Sequence, residues 1–268
     1  MKTNGRTVFV EDLRKTFYDE SRGEVKAVDG VTFSCHPGEV FGLLGANGAG
    51  KTTTLRMLST VLKPTGGTAS VMGHDVVREP QAVRESLGFY SASTALFPRL
   101  TGQETLRFFA RINHYPVERL QERVDALISR FGIQEYANAR IEKLSTGMKQ
   151  KVSIARTIAH DPPVLIFDEP TVGLDVLNAL EMVKVIRELR AEGKTIIFSS
   201  HIMSEVEKLC DRIAIIHRGR LLALGTLASL REATEQHYLE DIFVHYVTRA
   251  EGLEAATIGV AGELEEAP

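Results

Sequence analysis

Three short segments are apolar almost without interruption: Val40-Phe41-Gly42-Leu43-Leu44, Val164-Leu165-Ile166-Phe167 and Thr195-Ile196-Ile197-Phe198. Runs of this length predict strands buried on both faces, as in a parallel sheet. Between the last two lies an amphipathic stretch with Leu180, Val183, Ile186 and Leu189 at helical spacing. Such alternation of strand and helix predicts an α/β fold with crossover helices. Upstream, Thr7-Val8-Phe9-Val10 and Gly30-Val31-Thr32-Phe33-Ser34-Cys35 read as strands separated by the charged loop from Asp19 to Glu24. Pro64-Thr65-Gly66-Gly67 breaks the chain before a short strand at Thr68-Ala69-Ser70-Val71. From about Glu79 to Asp161 the period becomes helical, notably over Thr105–Ile112 and Leu120–Ile128, which predicts a helical subdomain inserted into the sheet domain. Ile213–Ile216 and Leu221–Leu224 flank Arg218-Gly219 as a hairpin, and Leu239, Ile242, Phe243 and Tyr246 share one helical face. The stretch from Glu251 to Pro268 is acidic and rich in Ala and Gly, so a mobile tail is expected.

Composition narrows this little. The 268 residues suffice for one large domain or a domain with a subdomain. A net charge of −3 gives no reason to expect a nucleic-acid partner. The two cysteines, Cys35 and Cys210, lack metal-ligand spacing and are expected to be buried thiols. The polar start Met1-Lys2-Thr3-Asn4-Gly5-Arg6 is not followed by an apolar segment, so no signal peptide is expected. No run approaches the ~20 apolar residues that span a bilayer, so a membrane process would need another chain to do the spanning.

The chemistry begins at Gly45-Ala46-Asn47-Gly48-Ala49-Gly50-Lys51-Thr52, a complete phosphate-binding loop between an apolar strand and the helical run that starts at Thr53. Its glycines let successive backbone N–H groups turn toward one anion at the positive end of a helix. Lys51 then reaches the β- and γ-phosphates, and the Thr52 hydroxyl ligates Mg²⁺. Lys51→Ala is expected to weaken nucleotide handling with no buried partner lost. Asp168 and Glu169 follow the second apolar strand. One carboxylate suits Mg²⁺ and the other an attacking water, although an acidic pair here also serves as a solvated strand end or a cap. Ser145 and Gly147 open another helix, where a hydroxyl, a free N–H and a helix dipole form a second anion site; Ser145 is equally a good N-cap.

In order and spacing, these motifs resemble the nucleotide-binding subunit of ATP-binding-cassette (ABC) transporters over residues 6–226, with a helical extension at 227–250 and the acidic tail at 251–268. The resemblance implies a phosphate-loop NTPase core with a mixed sheet, an N-terminal antiparallel β subdomain and an inserted helical subdomain at about 79–161. It implies an ATP hydrolase in which residues 45–53 hold ATP, Thr52 and Asp168 hold Mg²⁺, and Glu169 is the catalytic carboxylate. His201 stands at the family's switch-histidine position and Phe17 at the aromatic that stacks on adenine. Thr171-Val172-Gly173-Leu174-Asp175 looks like the D-loop that crosses a dimer interface. A second copy would face the nucleotide through Ser145 and Gly147, and separate integral membrane permease subunits would hold the dimer at the inner face of the cell membrane. Two positions depart from the family. Thr146 and Met148 alter the usual Leu-Ser-Gly-Gly-Gln signature, and Ala92 stands where a glutamine is normal. Ser91, Ser93 or Thr94 are expected to substitute for that glutamine through water. Both departures look similar to exporter ATPases of the sodium-export type. The alternative is a soluble ABC ATPase of translation or DNA repair, but such relatives usually carry paired cassettes, zinc-binding cysteines or long coiled coils.

Overall fold

The computed structural model describes residues 5–21, 23–91 and 94–252. Of the positions singled out above, Met1–Asn4, Ala92, Ser93 and tail residues 253–268 lie outside the described residues. Two sheets form the body. Strands β1 (Val8–Asp19) and β2 (Gly23–Cys35) pair antiparallel; after β3 (Val40–Leu44) and helix α1 (Lys51–Leu58), strands β4 (Gly66–Val71) and β5 (His74–Asp75) complete an antiparallel sheet of order β2-β1-β4-β5.

The chain then forms α2 (Pro80–Ser86) and β6 (Leu87–Ser91), followed by α3 (Gly102–Ile112), α4 (Leu120–Arg130) and α5 (Thr146–Thr157). It continues through β7 (Val164–Asp168), α6 (Val176–Ala191), β8 (Thr195–Ser200), α7 (Met203–Leu209), β9 (Arg212–His217) and β10 (Arg220–Gly225). Two helices, α8 (Leu227–Thr234) and α9 (Leu239–Ala250), follow. The second sheet has the order β10-β9-β3-β8-β7-β6, with β10 alone antiparallel to its neighbour. No helix among the described residues is long and apolar enough to cross a membrane.

The continuous apolar runs are explained by the two faces of this sheet. Successive side chains of a strand point to opposite sides. Val40, Leu44, Phe167 and Phe198 therefore join one core with α3–α7 and α9. Phe41, Leu43, Ile166 and Ile197 join another with α1 and the antiparallel sheet.

One expectation needs correction. Residues 79–161 are not helical throughout, because Leu87–Ser91 is the edge strand β6, paired in parallel with Val164–Asp168. Five residues are too few to display a period against the helix that abuts them, and pairing with β7 decides their conformation. Val83 of α2 likewise packs into the core with the antiparallel sheet. In the chain segment between β6 and β7, α3 packs on both α4 and α5.

Candidate active site

Residues 45–50 leave the end of β3 and close on the start of α1, with Ala46, Asn47 and Gly48 exposed at the crest. The glycines here answer specific demands. A Cβ at Gly45 would stand 2.4 Å from the Ile216 carbonyl oxygen. Gly50, the N-cap of α1, has φ 105°, and a Cβ there would stand 2.5 Å from the Ala27 carbonyl oxygen. Both the close approach and the left-handed backbone exclude a side chain.

Lys51 is buried, at 4% exposure, and its ammonium folds back over the loop. It donates to the carbonyls of Gly45 at 2.7 Å and Ala46 at 3.2 Å, and it pairs with Glu169 Oε1 at 3.0 Å. The expectation that Lys51 has no buried partner is therefore wrong. A half-buried carboxylate more than a hundred residues away pairs with it, and sequence spacing carries no trace of that contact.

Asp168 and Glu169 sit at the carboxyl end of β7. Asp168 is buried, and its Oδ1 accepts from the Thr52 hydroxyl at 3.1 Å and the Ser199 hydroxyl at 2.7 Å. Ser91 Oγ lies 3.5 Å from Asp168 Oδ2. The register explains the meeting, since Asp168 stands opposite Ser91 on β6 and Ser199 on β8. Glu169 turns sharply away with φ 50°, and its N–H donates to Ser199 Oγ at 3.1 Å. A non-glycine residue in the left-handed region stores strain that its surroundings must hold in place. Its carboxylate also meets His201 Nδ1 at 2.6 Å, so Glu169 bridges Lys51 and His201. Glu205 braces the same rim, accepting from the hydroxyls of Thr171 at 2.8 Å and Ser200 at 3.0 Å.

Ser199 is the site residue that sequence reasoning missed. It holds both Asp168 and the Glu169 backbone, yet in sequence it is only a small hydroxyl at the end of an apolar strand. That position, two residues before His201, was the available signal.

Ser145 and Gly147 are placed elsewhere. The Ser145 hydroxyl caps α5, accepting from the Met148 N–H at 3.3 Å. A Cβ at Gly147 would lie 3.7 Å from Asn178 Nδ2, and that amide donates to Asp175 Oδ2 at 2.6 Å. Hydrogen bonds from the Asn178 backbone and side chain hold the Asp175 carboxyl below its usual range. Gln150 of α5 donates to the Pro170 carbonyl at 2.7 Å, tying this helix to the turn after Glu169. Among the described residues, no hydrogen bond or ion pair joins Ser145 or Gly147 to the phosphate loop. Phe17, on β1, is 42% exposed, with the Lys15 ammonium 5.1 Å from its ring centroid.

The donor set has a clear chemical character. A hydroxyl and a carboxylate, both hard oxygens, converge beside a buried cation at the carboxyl ends of parallel strands. No cluster of three His, Cys, Asp or Glu suited to a metal is found among the described residues. The Thr52 hydroxyl and Asp168 carboxylate suit a cation that keeps waters and takes substrate phosphates as ligands, such as Mg²⁺.

Comparison with known proteins agrees with the geometry. The ABC transporter family model matches residues 28–172. The chain is 41% identical over 243 residues to the ABC transporter ATP-binding protein NatA of Bacillus subtilis (strain 168), covering 90% of this chain and 98% of that protein. The chain belongs to the ABC transporter family. It is an ATP-binding, ATP-hydrolysing subunit of that family. The Nod factor export ATP-binding protein I of Paraburkholderia xenovorans (strain LB400) is 40% identical over 211 residues, 79% of this chain and 69% of that protein. A solved ATP-binding subunit of an ABC transporter superposes with a TM-score of 0.82 at 30% identity, covering 90% of this chain and 99% of its own. As an ABC subunit, the chain has the α/β nucleotide-binding fold expected from its motifs, with the antiparallel β subdomain and the mixed sheet in place.

Proposed function

We propose that this ABC subunit is the ATP-driven motor of a membrane exporter and works as a dimer of two copies. The observation that carries the catalytic reading is the convergence of Lys51, Asp168, Glu169 and His201 on the open end of the phosphate loop. The loop N–H groups of residues 45–52 cradle the phosphates, with Thr53 flanking them in the first turn of α1. Lys51 exchanges the Glu169 carboxylate for phosphate oxygens. Thr52 and Asp168 would hold Mg²⁺, which would supply positive charge beside the phosphates. Glu169, released from Lys51, orients or deprotonates the attacking water. His201 contacts the γ-phosphate and is aimed by the same carboxylate. Phe17 offers its exposed face to adenine.

A different observation supports the dimer. Val176, Leu177 and Leu180 on α6, beside the Thr171–Asp175 loop, are 75%, 76% and 57% exposed. Contiguous apolar exposure of this kind marks an interaction face. A second copy there also gives Ser145 and Gly147 a nucleotide to face, since they do not reach their own chain's phosphate loop. Export is supported by relatives such as the Nod factor export subunit. Separate permease subunits do the spanning, which places this chain peripherally at the inner face of the cell membrane.

Affinity purification of the chain from native membranes tests the reading. An integral membrane protein should co-purify and stimulate ATP hydrolysis. Recovery of ribosomes or DNA-repair complexes instead would favour the soluble alternative.

A further inference from the structure

The β9–β10 hairpin lies on the opposite side of β3 from the catalytic strand β7, and it touches the phosphate loop through backbone. Gly219 N–H donates to the Ala49 carbonyl at 2.8 Å, and the Gly219 carbonyl accepts from Asp29 N–H at 2.8 Å. The Ile216 carbonyl oxygen would meet a Cβ on Gly45 at 2.4 Å, and Gly219 Cα would meet one on Gly50 at 3.3 Å. Residues 216 and 219 thus set where both ends of the loop can sit.

Between them stand His217 and Arg218, the latter with φ 46°. Both grip one carboxylate oxygen from the far end of the chain. Glu251 Oε1 lies 3.0 Å from His217 Nε2 and 2.6 Å from Arg218 Nη2. Glu251, expected to open a mobile tail, instead follows directly on α9, which Leu239 and Ile242 anchor in the core. The His217 and Glu251 side chains are 16% and 23% exposed, so this half of the contact is partly screened from water and salt, while Arg218 closes it from the solvent side.

We propose that Glu251 is a positioning residue for the phosphate loop. Its carboxylate fixes His217 and Arg218, and through them the Ile216 and Gly219 backbones against which Gly45, Ala49 and Gly50 rest. A loop that binds anions through converging N–H groups depends on their directions, because hydrogen bonds weaken steeply off-axis. Loosening the hairpin therefore costs nucleotide affinity, while Asp168, Glu169 and His201, on the other side of β3, keep their geometry. The inference rests on the phosphate loop being the nucleotide site.

The test uses the full chain as wild type, as Glu251→Ala, Glu251→Gln and Arg218→Ala, as the Glu251→Ala/Arg218→Ala double variant, and as the control Lys51→Ala. Arg218 is 76% exposed, so its truncation removes no core packing. ADP affinity and the KM and kcat for ATP are measured together with thermal stability. Glu251→Ala and Arg218→Ala should each raise ADP Kd and ATP KM about fivefold with kcat within about twofold, the scale of one coupled contact pair. Glu251→Gln, which keeps an acceptor oxygen, should recover part of the loss. The double variant Glu251→Ala/Arg218→Ala should be no worse than the weaker single. Unchanged Kd and KM in both alanine variants, even with lowered stability, would make the ion pair a tether for α9 and overturn the proposal. So would a fall in kcat at constant KM. Lys51→Ala is the control for the site itself: if it leaves ADP affinity intact, the phosphate-loop reading fails too.

Discussion

Lys51 Nζ stands 3.0 Å from Glu169 Oε1, so the cation proposed to meet phosphates and the carboxylate proposed to meet water hold each other. In an ion pair whose cation is buried and whose carboxylate is half-buried, removal of one partner costs more than removal of both, because the remaining charge loses its compensation. His201, 2.6 Å from the other Glu169 oxygen, softens that loss on one side only. Two consequences follow for variants of the pair.

Glu169→Gln keeps the shape of the side chain and removes its charge. Nucleotide binding should survive, since Lys51 no longer has to leave a carboxylate to reach phosphate. Turnover should fall at least ~10²-fold, as expected for a lost general base or water-orienting group. Steady-state phosphate release alongside an ATP titration checks this. Near-normal hydrolysis would take Glu169 out of catalysis.

Lys51→Ala should weaken ATP binding or hydrolysis severely, and it should also lower fold stability by leaving Glu169 without its main partner. The double variant Lys51→Ala/Glu169→Gln should regain stability relative to Lys51→Ala alone, measured as urea midpoints. Additive losses in the double variant would mean that the two groups are energetically independent.

How these residues come together was only partly legible in the sequence. The phosphate loop, the apolar strands and the Asp168-Glu169 pair were readable because each is a local pattern tied to one strand or turn. The edge strand β6 was not, because Leu87–Ser91 is short and gains its conformation from pairing with β7. Ser199 was hidden for the same reason. Its role arises from standing opposite Asp168 in register, a relation between strands that no spacing along the chain displays. Lys51–Glu169 and Gly219–Ala49 are likewise contacts of topology.

His160 offers a test of the packing behind β6. Both its ring nitrogens are buried, and this desolvation outweighs a weak contact with the Leu87 backbone, pulling its pKa from 6.5 down to about 4. The folded chain thus holds the ring neutral while the unfolded chain takes up a proton near pH 6.5. The unfolded state binds more protons in that window, so this contribution is present above it and is lost as pH falls from 6.5 toward 4. Between pH 7 and pH 5 the loss should reach about 2 kcal/mol. Urea unfolding of wild type and His160→Gln at both pH values checks it. Wild type should lose more stability on acidification than the variant, and parallel losses would contradict the assigned burial effect.

The central claim is that each hydrolytic site is built from two chains, one giving Lys51 and Glu169 and the other Ser145 and Gly147. Mixing two inactive variants measures it directly. Lys51→Ala homodimers have two damaged loops, and Ser145→Arg homodimers have two damaged signature segments. In a mixed dimer both lesions fall at one site, which leaves the other intact. Hydrolysis should therefore reappear on mixing, and wild-type activity per chain should rise with protein concentration. No recovery in mixtures that demonstrably contain heterodimer, together with constant activity per chain down to concentrations holding only monomer, would contradict the account.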